Sequence, residues 1–567
     1  MNAGSASALI DALIAGGVAH AVLSPGSRST PIALTLDAAA RASRLVLHPI
    51  LDERSAAFFA LGVARSSGRP VIVVATSGSA GAHFLPAVIE AFESGVPLIV
   101  ITADRPPELQ GVGAPQTTPQ ADLFGAHAKT RVDLPVPGPD VSVRVFRTAG
   151  LRAIASATAA KQGPVHIQAP FREPLWTAGE DAGERLAPAR LISGARTLDR
   201  AQLAKVASWL SPRGVIIAGP METPAPAAVT LAERLGWPIL ADAASNLRAG
   251  GHPNVLTHGD AIVRAQSDRL APDVVFKIGR APSSKATQEW LAKVGRDRLV
   301  LVDDLVDHGH LAKALIAAEP NALFAALSDA TPATDRTWLA GWQAADRIAE
   351  RVLEAPAAKL WEGQVARAIA RAIGPNTLVH LGSGMPVRDF DACGGALASG
   401  VRVFSSRGAN GIDGTTSTAL GELAGSGLRT KMISVTGDLT ALHDLSGLRM
   451  ARGQDITMVV IDNGGGGIFD FLPIAAHSES YQRCFKTPQE ADFGAIARAF
   501  GIEAREATTA DAIAAAIATP GLVRIPIDPT HNVRAHRERW AESARQIQLY
   551  FEAYFSKKGT PHVEEGS

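Results

Sequence analysis

The sequence predicts an α/β protein built from three consecutive doubly wound parallel-sheet domains. Its length of 567 residues suggests several domains at about 100–200 residues each. Short apolar runs alternate with helical stretches along the whole chain, as expected for parallel strands covered on both faces. Polar or glycine-containing turns follow many of those runs, and open α/β sheets place their ligand sites at such strand ends.

The first block, residues 1–180, has strand candidates at 21–23, 71–75, 97–101 and 165–168 and helical stretches at 55–64 and 80–93. Its first three strands enter the turns Ser24-Pro25-Gly26-Ser27-Arg28, Thr76-Ser77-Gly78-Ser79 and Thr102-Ala103-Asp104-Arg105-Pro106-Pro107. A stretch rich in Pro, Gly and charge, 170–188, forms a linker. The middle block, 190–335, has strands at 214–218, 239–241, 274–278 and 299–302. A second boundary falls at 329–335, followed by a helix over 338–360. The last block, 356–555, has strands at 377–380, 401–404, 432–435, 457–461 and 522–527. The polar tail, 556–567, is expected to be disordered. No sequence repeat relates the blocks.

Composition narrows the class. With 46% hydrophobic residues, 53 Gly and 36 Pro, the chain fits a large globular enzyme with many turns. Lys+Arg and Asp+Glu are both 55, so no global field favours nucleic acid or an anionic membrane. Any anion site must be a local cluster. Cys393 and Cys484 are the only cysteines, too few for a disulfide scaffold, which suits a reducing, cytoplasmic location. The N-terminus lacks a basic n-region and is interrupted by Asp11. It reads as an amphipathic helix feeding a strand, not a signal peptide. No run is long and apolar enough to predict an integral membrane segment.

Two short segments carry the chemistry. Gly437-Asp438 follows the apolar run 432–435, and Asp462-Asn463-Gly464-Gly465 follows 458–461. Asp438 and Asn463 are 25 residues apart. A carboxylate, an amide oxygen and a turn carbonyl form a hard, oxygen-only ligand set that suits magnesium. Magnesium usually bridges to a ligand's phosphates, so the pair reads as half of a diphosphate–Mg²⁺ site. Two ordinary N-caps would give the same pattern. Glu53 is either a solvated first-turn charge or a buried carboxylate poised to share a proton. His308-Gly309-His310 reads as a surface pair lacking a third metal ligand, and His443 as a packing or capping residue.

The Gly-Asp…Asn spacing resembles the thiamine diphosphate motif, in which the Asp, the Asn and a carbonyl two residues later hold the metal. More specifically, six segments resemble the MenD family. They are Ser24-Pro25-Gly26-Ser27-Arg28-Ser29-Thr30-Pro31, Asp52-Glu53-Arg54-Ser55, Thr102-Ala103-Asp104-Arg105-Pro106-Pro107-Glu108-Leu109, Arg407-Gly408-Ala409-Asn410-Gly411-Ile412-Asp413-Gly414, Gly437-Asp438-Leu439-Thr440-Ala441-Leu442-His443-Asp444 and Gly464-Gly465-Gly466-Gly467-Ile468-Phe469.

The resemblance implies pyrimidine-binding, central and diphosphate/Mg-binding domains of the thiamine-diphosphate-dependent type. It implies a transferase of menaquinone biosynthesis that joins 2-oxoglutarate to isochorismate with release of CO₂. Glu53 would assist tautomerisation of the cofactor's aminopyrimidine. Ser383, Gly384, Gly437, Asp438, Leu439, Thr440, Asn463, Gly465, Gly466, Ile468 and Phe469 would hold the cofactor. Asp438, Asn463 and Gly465 would hold Mg²⁺, with Mn²⁺ as an alternative ion. Substrate positions would be Ser27, Arg28, Arg105, Gln116, Lys285, Arg388, Arg407, Phe469 and Leu472. Ile468 would bend the cofactor. Both substrates are dicarboxylates, which arginine's planar fork suits. A homodimer or dimer of dimers is implied, Glu53 of one protomer serving its partner's cofactor.

Three positions depart from the family pattern. Gly382-Ser383-Gly384 stands for Gly-Asn-Ser, Ser406 for an Asn, and Ala286 for a basic residue. They keep two rivals open: a sister carboligase with another 2-oxo acid or acceptor, and a non-catalytic thiamine-diphosphate-binding protein.

Overall fold

The computed structural model describes residues 1–178, 191–192, 194–303, 307, 309–329, 334–427 and 430–556. Most of the expected linker, part of the second boundary, His308 and the tail beyond 556 lie outside the described residues.

The first sheet contains β1 (His20–Leu23), β2 (Val46–Pro49), β3 (Val71–Ala75), β4 (Leu98–Asp104), β5 (Arg131–Asp133) and β6 (Val165–Pro170). Its order is β2-β1-β3-β4-β6-β5, all parallel. The middle sheet contains β7 (Gly214–Ala218), β8 (Ile239–Ala241), β9 (Val255–Leu256), β10 (Val274–Ile278), β11 (Leu299–Val302) and β12 (Ala312–Ile316). These run β12-β11-β10-β7-β8-β9, again parallel. The third contains β13 (Leu378–Leu381), β14 (Arg402–Ser405), β15 (Met432–Gly437), β16 (Ile456–Asp462), β17 (Ala504–Glu506) and β18 (Gly521–Pro526). Its order, β14-β13-β15-β16-β18-β17, repeats that of the first sheet, a structural duplication that the sequence does not display.

The expected fold class is borne out. The strands the sequence did not signal are β2, β5, β9, β12 and β17, all at sheet edges. β2, β5, β12 and β17 each have exposed or half-exposed positions, and β9 is only two residues long. Two helices also differ from expectation. The stretch expected over 338–360 is the helix Arg336–Glu354, which stops before Pro356 because a residue preceding proline disfavours helical backbone. The stretch expected over 80–93 starts as a 3₁₀ turn, Ala80–Phe84, and becomes α-helical at Leu85–Ser94 with Pro86 in its first turn.

The first and third domains share one apolar core. At its centre the helix Glu53–Ser67 lies against the helix Thr415–Gly425, and glycines set how close they come. A Cβ on Gly62 would lie 2.1 Å from the Thr418 carbonyl oxygen, and one on Gly421 would lie 2.0 Å from that of Phe59. The C-terminal helix Pro529–Ser556 packs Ile547 and Phe551 into the tryptophan-rich core of the middle domain while its Ala535 packs with Trp361. Among the described residues no helix is long and apolar enough to cross a membrane.

Candidate active site

In the third sheet the strand order reverses between β13 and β15, and such switch points open a crevice at the carboxyl ends of the strands. The turn Gly382-Ser383-Gly384 leaves β13 there, Gly437-Asp438 ends β15, and Asp462-Asn463 ends β16.

Asp438 is buried. Its Oδ1 accepts the Leu439 N–H at 2.7 Å and its Oδ2 the Gly465 N–H at 2.6 Å. Burial pushes its carboxyl up to about 6 against those two donors, and the nearby Asp462 pushes the same way. Asn463 is also buried. Its Nδ2 donates to Glu362 Oε1 at 2.6 Å, while its Oδ1 has no partner. Asp438 thus offers a buried carboxylate, and Asn463 a buried amide oxygen without a donor.

These residues fit a divalent cation and a diphosphate. The Asn463 oxygen lacks a partner, the Asp438 carboxyl lacks a compensating positive charge, and both are oxygen donors of the kind magnesium takes. The glycines complete the cradle. Gly465 has φ +122°, and a Cβ there would sit 2.2 Å from the Lys486 carbonyl oxygen. A Cβ on Gly467 would meet the Asn463 amide at 2.3 Å, whereas Gly437 faces open space. Gly466 is tied to the Lys486 carbonyl oxygen at 2.7 Å, and Leu439 and Thr440 form the first turn after Asp438. Ile468 and Phe469, both half-buried, lie in the 3₁₀ turn Gly467–Phe471, with the Phe469 ring edge-on to Phe485. Leu472, just beyond it, is exposed.

The cations form two groups. In the first domain, at the corresponding reversal between β1 and β3, Arg28 is buried. It donates to the Phe171 carbonyl oxygen at 3.0 Å and to Glu173 at 3.1 Å. Ser27, its neighbour, is exposed. Arg105 donates to Ser77 Oγ and, at 2.7 Å, to the Gln116 carbonyl oxygen. The Gln116 amide donates to the Ser77 carbonyl oxygen at 3.1 Å. Partial burial, and then the positive charge of Arg28, lower the pKa of Arg105.

In the third domain Arg388 donates to the Ser383 and Gly384 carbonyl oxygens at 2.7 and 2.5 Å. Burial, and then Arg407, lower the pKa of Arg388. Arg407 is lowered chiefly by burial, and its Nε and one Nη have no partner. The two family departures at 383 and 406 touch: Ser383 Oγ donates to the Ser406 carbonyl oxygen at 2.6 Å.

Lys285 stands apart. It opens the helix Lys285–Val294 and pairs with Glu289 at 3.3 Å on an exposed face. Glu53 is half-buried and opens the helix Glu53–Ser67, whose start is fixed by Asp52 accepting the Ser55 N–H. Its neighbours hold that start to the third domain: Arg54 donates to the His443 carbonyl oxygen at 2.8 Å, and Ser55 and Ser446 hydroxyls meet at 2.7 Å. His443 thus takes part through its backbone.

Sequence reasoning missed Glu362, Asp389 and His536. One ligand-capable atom from each lies within 4.8 Å of the others, and all three residues are buried. Burial, reinforced by Asp389, pushes the Glu362 carboxyl up to about 7. No sequence signal reveals the cluster: Glu362 is a first-turn acid 101 residues from the amide it touches.

Three sequential parallel-sheet domains, the first and third with cation- and oxygen-bearing loops at their switch points, make the architecture of a thiamine-diphosphate-dependent enzyme. The family description of the N-terminal thiamine pyrophosphate-binding domain matches residues 4–124, that of the middle domain 190–381, and that of the C-terminal binding domain 395–526. Relatives named 2-succinyl-5-enolpyruvyl-6-hydroxy-3-cyclohexene-1-carboxylate synthase come from several bacteria. The protein of Geobacillus kaustophilus (strain HTA426) is 40% identical over 96% of this chain and 98% of its own length. Those of Myxococcus xanthus (strain DK1622) and Chloroflexus aurantiacus (strain ATCC 29366 / DSM 635 / J-10-fl) are each 38% identical, over 96% and 94% of this chain and 97% and 95% of their own. The chain belongs to this synthase family, the MenD family, and is a transferase that uses thiamine diphosphate.

Proposed function

We propose that the enzyme decarboxylates 2-oxoglutarate and adds the remaining four-carbon unit to isochorismate, in the cytoplasmic phase of menaquinone biosynthesis. Mg²⁺, replaceable by Mn²⁺, would be held by Asp438, Asn463 and the Gly465 carbonyl. The observation that carries the substrate assignment is the Arg388–Arg407 pair. Both guanidiniums are half-buried, Arg407 lowers the pKa of Arg388, and two nitrogens of Arg407 lack acceptors. A carboxylate would relieve both costs, since buried charges are stable only when paired. Arg28 and Arg105 offer a second cationic group, which suits two dicarboxylates.

Bound thiamine diphosphate supplies the electron sink that loss of CO₂ from a 2-oxo acid requires. The chain's own residues do the rest. Glu53 would hold a proton against the ring nitrogen of the partner protomer's cofactor, which would make a homodimer, alone or paired, the working unit. Ser383, Gly384, Gly437, Leu439, Thr440 and Gly466 line the diphosphate, and Ile468 shapes the cofactor. Phe469 and Leu472 exclude water, and Ser27, Gln116 and Lys285 orient substrate carboxylates.

The test is CO₂ release by the purified protein with thiamine diphosphate, Mg²⁺ and 2-oxoglutarate, with and without isochorismate. Slow release alone, with a succinylated adduct once isochorismate is added, is the expected result. Release without adduct would overturn the acceptor assignment, and no release the donor. A second reading, a sister carboligase, draws on the departures at 383 and 406, which meet where Ser383 Oγ donates to the Ser406 backbone carbonyl oxygen.

A further inference from the structure

We infer that Glu362 is the positioning residue that turns the Asn463 side chain so that its oxygen, not its nitrogen, faces the metal. The inference rests on the Mg²⁺ site proposed above. An asparagine amide has two ends of nearly equal size, one accepting and one donating, and only the oxygen can ligate a cation. Rotation by half a turn would aim an N–H₂ group at the ion instead.

An oxygen that accepts, as Glu362 Oε1 does here, pairs with the nitrogen end of the amide it touches. Glu362 Oε1 receives Asn463 Nδ2 at 2.6 Å, and Asn463 Oδ1 is left buried without a partner. That orphaned oxygen is what a ligand position requires. It would cost free energy if it faced nothing.

Glu362 is itself held from two sides. It opens the helix Glu362–Ala372, is 1% exposed, and donates its own N–H to Asn532 Oδ1 at 3.0 Å. Behind it, His536 bridges the Asn532 carbonyl oxygen at 2.9 Å and Asp389 Oδ1 at 2.8 Å. Trp361, Phe471 and Trp540 surround that imidazole with ring centroids 4.7, 5.1 and 5.4 Å away. The C-terminal helix therefore reaches Asn463 through a chain of hydrogen bonds enclosed by aromatic rings. His536 already gives both ring nitrogens to protein partners, which favours this positioning role over a second metal at Glu362, Asp389 and His536.

The experiment is Mn²⁺ binding to the full-length protein with thiamine diphosphate, followed by electron paramagnetic resonance. Glu362→Ala is expected to weaken Mn²⁺ binding about 10–100-fold, the range for losing an outer partner of a metal ligand. Glu362→Gln, whose amide oxygen can still accept, is expected to recover most of it. The decisive comparison uses an Asn463→Asp background, where both side-chain oxygens can ligate and no orientation is needed. There, Glu362→Ala should cost little or nothing. An equal loss in both backgrounds would reveal a merely structural role and overturn the inference, as would unchanged affinity in Glu362→Ala. Two Mn²⁺ ions per chain would overturn it in favour of a second metal. Asn463→Ala is the separate control: if it binds Mn²⁺ normally, the metal-site reading itself fails.

Discussion

The Glu90 carboxylate of the first domain accepts the backbone N–H of Gly408 in the third, at 3.0 Å, and caps the adjoining Ala409 N–H at 2.7 Å. Arg65, fully buried, holds Glu90 at 3.1 Å and also meets Glu422 and Glu222, each at 3.4 Å. The segment so fixed begins at Arg407, so the aim of one candidate substrate arginine is set by an acid in another domain.

Glu90→Gln keeps the shape but replaces a two-acceptor carboxylate by a single carbonyl. One charged hydrogen bond lost is worth about 1.5 kcal/mol, roughly tenfold. The KM for 2-oxoglutarate or isochorismate should rise by about that factor, with kcat much less affected. Steady-state kinetics check this, and an unchanged KM would show that the loop holds itself.

Asp438→Ala removes the charged ligand and the acceptor of the Gly465 N–H together. Thiamine diphosphate affinity measured by calorimetry should lose its Mg²⁺ dependence. Retained dependence would remove Asp438 from the metal site.

Glu53→Gln should leave cofactor affinity near that of the parent and depress turnover by about 10²-fold or more, the scale of lost proton transfer. A coupled assay with matched cofactor occupancy reads the difference.

Gly421→Ala would force a Cβ to 2.0 Å from the Phe59 carbonyl oxygen. Two backbones must part, so the loss should reach about 1–3 kcal/mol or more. Calorimetry should show the transition temperature falling by several degrees. Gly374→Ala, where a Cβ meets nothing within 4 Å, is the control and should melt like the parent.

His166 is 1% exposed, shares a 2.7 Å hydrogen bond with Thr102 Oγ1 and lies edge-on to Phe124. Burial lowers its pKa to about 4 from 6.5. The unfolded chain therefore binds the proton first, and stability drains away as pH falls from 6.5 towards 4. At pH 5 the loss is about 2 kcal/mol. Hydrogen exchange in β4 and β6, corrected for intrinsic rates, should show it, and His166→Gln should reduce that drop.

How much could be read from the sequence follows burial. Inner strands such as β3 and β7 are unbroken apolar runs because both faces are covered, and β10 and β15 are mostly apolar. Edges such as β5, with the alternating Arg131, Val132 and Asp133, lack that signature. Asp438 and Asn463 were legible because each ends its own strand, so a local pattern carries them. Glu362 was not, since its role exists only where a helix from 101 residues away meets Asn463. Lys285 opens its helix on an exposed face paired with Glu289, and nothing in a local motif reports which way a helix start points.

The shared strand order of the first and third sheets means that corresponding corners carry complementary chemistry. The loops after β1, β3 and β4 present Arg28, Ser77 and Arg105, while those after β13, β15 and β16 present Ser383, Asp438 and Asn463. One architectural vocabulary is thus spoken twice, with arginines and a serine at the first set of corners and hydroxyl, carboxylate and amide oxygens at the second. Exchanging a side chain at either corner retunes one half of that dialogue and leaves the scaffold of the other intact.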